Sequence, residues 1–102
     1  MSSESSPGWT FVTNHTQVLL CIARDPGIRL RDVAAQVGIT ERAVQRIVAE
    51  LVEAGFLERQ RVGRRNHYVV NRRAEMRHPA QFGRDIGALL DLLKLDGAAD
   101  RL

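Results

Sequence analysis

The sequence predicts a mainly α-helical domain with one small β-hairpin. Three observations point there. Apolar residues recur at helical spacing in short segments separated by turn residues. One later stretch alternates polar and apolar, meets a glycine-led turn, and is followed by a run rich in β-formers. Finally, 102 residues, 44% of them apolar and 26% charged, suit one soluble domain around one modest core.

Residues 1–8 are Ser, Glu, Pro and Gly after the initial Met and read as a disordered lead. A first helix is expected over about 15–24, with Asn14 as its cap and Val18, Leu19, Ile22 and Ala23 on one stripe. Asp25-Pro26-Gly27 stops it. Ile28, Arg29 and Leu30 are extended enough for a very short strand. A second helix over about 31–37 turns Val33, Ala34 and Val37 inward and ends at Gly38. Ile39 fills the corner, and Thr40 caps a third helix over about 41–54. There Val44, Ile47, Val48 and Leu51 stand at i, i+3, i+4 and i+7. Residues 56–62 form a strand, 63–66 a basic turn, and 67–71 a second strand. A polar connector leads to a last helix over about 80–94, closed by Asp96-Gly97. Its apolar face holds Phe82, Ile86, Leu89, Leu90 and Leu93, widened by Leu92 and Leu95.

Helix, short strand, helix, tight turn, helix, hairpin is the winged helix-turn-helix layout: a three-helix core plus a wing. The run from Arg31 through Val37-Gly38-Ile39-Thr40 to Leu51 resembles the helix-turn-helix of the MarR and ArsR superfamily of bacterial and archaeal regulators. Glu53-Ala54-Gly55-Phe56-Leu57-Glu58-Arg59 resembles the same families' passage from recognition helix into wing. The resemblance covers about 15–71 and implies a winged helix DNA-binding domain in a transcriptional regulator. It departs at Arg29, the expected cap of the second helix, where these families commonly place Ser or Thr.

The residues fit that implication physically. Two short helices packed steeply free the N-terminal half of the third for a major groove about 12 Å wide. Thr40, Arg42, Ala43, Gln45 and Arg46 lie on or near its free face. Arg42 can fork onto guanine, Gln45 onto adenine, and Ala43 can touch a thymine methyl. Thr40 and Arg46 suit phosphates equally well, which set register without reading sequence. Arg64 and Arg65 at the hairpin tip suit the adjacent minor groove, and Arg59 and Arg61, on one side of their strand, suit the backbone.

Charge is distributed accordingly. Residues 29–73 hold ten Arg and five acids, net +5, while 1–28 and 74–102 are each net −1. That concentration favours a polyanionic partner, which the resemblance implies is double-stranded DNA. RNA readers usually offer exposed aromatics, and only Tyr68 is available here. A winged helix used for protein contact or for general nucleic-acid binding is the rival reading. The protein-contact form would not need Arg42, Arg46, Arg64 and Arg65 together.

Other classes are disfavoured. There is no Gly-rich phosphate loop and no nucleophile in catalytic context, so no enzyme is expected. His15, His67 and His78 are far apart and lack metal-ligand spacing, so neither metal nor cofactor is expected. Cys21 sits among apolar neighbours and reads as a buried thiol. No apolar run is long enough for a membrane, and no signal peptide is visible, which points to the cytoplasm. The division is a lead (1–8), the winged helix domain (9–73), and a connector with a C-terminal helix (74–102). The leucine-rich face of that helix, with Trp9 and Phe11 nearby, predicts a homodimer, at whose junction any small-molecule effector is expected.

Overall fold

The computed structural model describes residues 9–78, 80 and 83–99, with side chains through residue 93. The lead over 1–8, Phe82 and the side chain of Leu95 lie outside the described residues.

Three amphipathic helices meet first. Helix α1 (Asn14–Arg24) buries Val18, Leu19 and Ile22. Its cap is Thr13 rather than Asn14: Thr13 has extended backbone, and its hydroxyl accepts from Thr16 N at 3.3 Å. The helix stops because Asp25 Oδ1 accepts from Gly27 N at 3.2 Å, folding the next residues into a turn.

No strand forms over 28–30. Leu30 already opens α2 (Leu30–Val37), which buries Val33 and Ala34. One backbone bond, Tyr68 N to Pro26 O at 3.2 Å, takes the place of a ladder. The backbone of 28–30 is used elsewhere: Ile28 N donates to Asp25 O at 3.0 Å, and Arg29 O accepts from Asp32 N and Val33 N as α2 begins, while the Gly27 carbonyl accepts from the Arg65 guanidinium at 2.7 Å. Arg29 stands at the cap position without a capping bond, as the sequence departure implied.

Gly38 ends α2 at φ 86°, and α3 (Glu41–Glu53) follows after two residues. Val44, Ile47, Val48 and Leu51 form its buried stripe, the set expected from their spacing. Phe56 N reaches back to Leu51 O at 2.9 Å and closes the helix in a Schellman-like turn.

Strands β1 (Leu57–Val62) and β2 (Arg65–Val70) pair antiparallel from Leu57↔Val70 to Val62↔Arg65. The second strand thus begins two residues earlier than the sequence suggested, leaving a loop of Gly63 and Arg64 only. Gly63 has φ 62° and Arg64 does not share a positive φ, the type II′ pattern that suits the twist of a two-residue hairpin. Asn71 fastens the hairpin base to the end of α3 through its N–H to Phe56 O and its side chain to Gly55 O.

The last helix differs most from expectation. Helix α4 (Ile86–Ala99) starts six residues later than expected and runs through Asp96-Gly97. Asp85 sets the start, since its Oδ1 accepts from Ala88 N at 2.9 Å. Before it, 84–86 run antiparallel to 74–76, with Met76 N to Arg84 O at 3.0 Å and Ile86 N to Ala74 O at 2.8 Å. Ile86 and Leu90 are buried in the same core as α1 to α3, and α4 packs on α1. Gly87 permits the contact: its N–H meets Arg72 O at 2.8 Å, and a Cβ there would lie 2.8 Å from that same oxygen. The sequence assigned this face to a partner chain; its first half is instead committed to the chain's own core.

Candidate nucleic-acid interface

Helix α3 positions the first half of the site. Its stripe is spent on the core, so Arg42, Gln45 and Arg46 are exposed and Ala43 is half-buried. Thr40 is exposed, but its Oγ1 already accepts from Ala43 N at 3.0 Å. The hydroxyl proton remains available to donate to a phosphate. Arg46 is paired: its Nη1 lies 3.3 Å from Glu50 Oε2, and Glu50 Oε1 lies 2.7 Å from His15 Nε2 on α1. The His15 hydrogen bond holds the Glu50 carboxyl below its usual range; burial opposes it, and the Arg46 charge and hydrogen bond add to the lowering.

The wing positions the second half. Directly opposed residues share a face, so Leu57, Arg59 and Arg61 lie with Val70, Tyr68 and Asn66. Leu57 and Tyr68 are buried against the helices, which makes this the helix-facing side. Arg59 and Arg61 continue it outward beyond the core. The Arg59 guanidinium carbon stands 5.8 Å from the centre of the Tyr68 ring, a cation–π contact that restrains it.

The two tip arginines part company. Arg64 is in the exposed loop. Arg65 belongs to β2, and one of its nitrogens is occupied by the Gly27 carbonyl. Both nevertheless line one open groove with Arg29, Leu30, Glu41 and Asn66. This groove joins the wing tip to the starts of α2 and α3, with the guanidiniums of Arg29, Arg64 and Arg65 against the carboxylate of Glu41 and that of Asp32, which pairs with Arg29 at 3.6 Å. Sequence reasoning missed Arg29 as part of it, noting only that it caps poorly. The usable signal was an arginine, with no capping side chain, at the amino end of α2.

The candidate interface thus combines the exposed face of α3 with the arginine-bearing wing, and the groove lined by Glu41, Arg64 and Arg65 touches both. Among the described residues, Arg42, Arg61 and Arg64 make no side-chain hydrogen bond or ion pair. Among the described residues, no His, Cys, Asp and Glu cluster could hold a metal, and no helix is long and apolar enough to cross a membrane. Cys21 is half-buried rather than buried; burial raises its thiol pKa, and Sγ approaches Gln36 Oε1 at 3.4 Å.

A search among curated proteins finds no match to the chain. Residues 13–58 match the family model described as winged helix-turn-helix DNA-binding, a span that takes in α1, α2, α3 and the first residues of β1. With the hairpin that follows, the chain carries a winged helix-turn-helix domain, and DNA binding is the function this match supports.

Proposed function

We propose that the protein is a sequence-specific transcriptional regulator of the MarR/ArsR-like kind that acts on double-stranded DNA in the cytoplasm. Helix α3 enters the major groove, and the wing meets the adjacent minor groove or backbone. The observation that carries this reading is the free face of α3, which lies in a segment matching a DNA-binding family, together with the arginine-bearing wing that follows that segment. Arg42 and Gln45 read bases; Thr40 and Arg46 hold phosphate; Ala43 is small enough to approach a thymine methyl. Arg59, Arg61, Arg64 and Arg65 act along the wing. Such binding uses no catalysis.

A homodimer through α4 belongs to the same reading. Leu92 is 64% exposed, and Trp9 and Phe11 are exposed as an edge-to-face pair at 5.0 Å. These side chains, together with half-buried Leu93, are what a second copy would cover.

Selection from a random duplex library at physiological salt tests the proposal. The expected result is one enriched motif, bound at least about 10³-fold tighter than random duplex. Arg42→Ala and Gln45→Ala should relax preference at separate base positions by about 1–3 kcal/mol each while leaving the fold intact. No enrichment, or an unchanged motif in both variants, removes α3 as the reader.

A further inference from the structure

The DNA-contacting face of α3 leaves His15 and Glu50 without a role. Glu50 lies one turn beyond Arg46 on the same helix. Its carboxylate is divided between two cations or donors, Arg46 at 3.3 Å and His15 at 2.7 Å. A carboxylate at that place works against DNA binding. It repels phosphate, and it competes for the guanidinium that a phosphate would take. Long side chains on a helix lean towards its amino end. Pairing with Glu50, four residues later, therefore draws Arg46 back from the first turns of α3.

His15 changes the balance, because it approaches from a different element. The groups around it are few. Helix α3 supplies Glu50 and Arg46, the connector supplies Arg77, and α4 supplies only the apolar Ile86 and Leu89. Arg77 is itself engaged with Ala54 O at 3.3 Å. Among the described residues, Glu50 is thus the carboxylate that faces His15.

We propose that His15 is a positioning residue for DNA binding. It holds Glu50 from α1, so that Arg46 exchanges this carboxylate for a DNA phosphate while Glu50 stays on the α1 side. The inference rests on α3 being the DNA-contacting helix. His15, Glu50 and Arg46 are all substantially exposed, so the effect is modest in size.

The test is a cycle on the full chain, titrated against its enriched duplex: His15→Ala, His15→Gln, Glu50→Gln, and His15→Ala with Glu50→Gln. His15→Ala should weaken binding by up to about fivefold, the ceiling for one exposed pair. His15→Gln keeps an N–H donor and should restore most of it. In the Glu50→Gln background, His15→Ala should have no effect, because no charged carboxylate is left to hold. An equal loss in both backgrounds means that His15 acts through general stability, and no loss in either means that it does not act; both overturn the proposal. A parent chain that binds no duplex removes the functional reading and this inference together, whereas a parent that binds with a flat cycle removes the inference alone.

Discussion

Arg64 and Arg65 are adjacent in sequence and identical in type, yet the structure gives them separable behaviour. Arg64 stands in the two-residue loop with no side-chain partner among the described residues, whereas Arg65 donates to Gly27 O at 2.7 Å. Arg64→Ala should therefore be silent in the free protein and visible only in binding. One lost phosphate contact flattens the slope of log K against log salt by about 0.9. Over a fourfold rise in salt, the parent should lose about 3.5-fold more affinity than the variant for each subunit bound. Arg65→Ala should do the same and also loosen the wing from the turn after α1. An exposed hydrogen bond of this kind is worth about 0.5 kcal/mol, equivalent to about 2–4 °C in melting temperature for a domain of this size. Fluorescence anisotropy at several salt concentrations reads the first effect, and thermal unfolding without DNA reads the second. Identical melting of the two variants would refute the anchoring role of Arg65. An unchanged salt slope in Arg64→Ala would refute phosphate contact at the tip.

Gly87→Ala replaces a poor helix former by the best one, yet it should destabilise the protein by about 1–3 kcal/mol, because overpacking against a fixed carbonyl outweighs propensity. The new Cβ would meet Arg72 O at 2.8 Å, and urea unfolding measures the outcome. Cys21, its thiol pKa raised by burial against the smaller opposing charge of Arg24, should react with a disulfide reagent at mildly alkaline pH more slowly than a free thiol and at the ordinary rate once unfolded. If α4 carries the dimer, Leu92→Asp should give a monomer in sedimentation at tens of micromolar, on the order of ordinary weak-dimer affinities, with unchanged thermal stability of the domain; a parent that is itself monomeric there refutes the dimer.

Local chemistry made the centre of the fold legible. The stripe Val44, Ile47, Val48 and Leu51 and the punctuation at Gly38, Thr40 and Gly55 depend on neighbours within one or two turns, and each stands where its spacing implied. What escaped depends on distant partners. In place of the strand expected over 28–30, the turn before it meets distant β2 through Tyr68 N to Pro26 O and Arg65 to Gly27 O, while Leu30 already belongs to α2. The late start of α4, capped by Asp85, follows a pairing between 74–76 and 84–86 that no helical periodicity reports. Apolar spacing says that Ile86 and Leu90 need covering and is silent on whether α1 or another chain covers them. The exposure of the proposed site residues on α3 was legible for the same local reason as the core. Their pairing was not, since His15 and Glu50 are 35 residues apart.

Partnered and unpartnered arginines occupy different places, and that division ranks their expected contributions to binding. Arg65 joins the wing to the turn after α1, Arg46 joins α3 to α1 through Glu50, Arg72 joins the connector to α4 through Asp91 at 2.7 Å, and Arg77 joins the connector to the end of α3. These side chains sit at joints between elements. A phosphate that takes one of them must first displace an internal partner, so part of the attraction is spent on the exchange. Arg42, Arg61 and Arg64 stand away from the joints, on the free face of α3 and along the wing, with no such exchange among the described residues. Each offers its whole charge, and a planar fork that matches phosphate or guanine, at the cost of side-chain entropy alone. The strongest affinity losses should therefore follow their removal. Losses at Arg46 and Arg65 should be smaller and mixed with changes in how α3 and the wing are held.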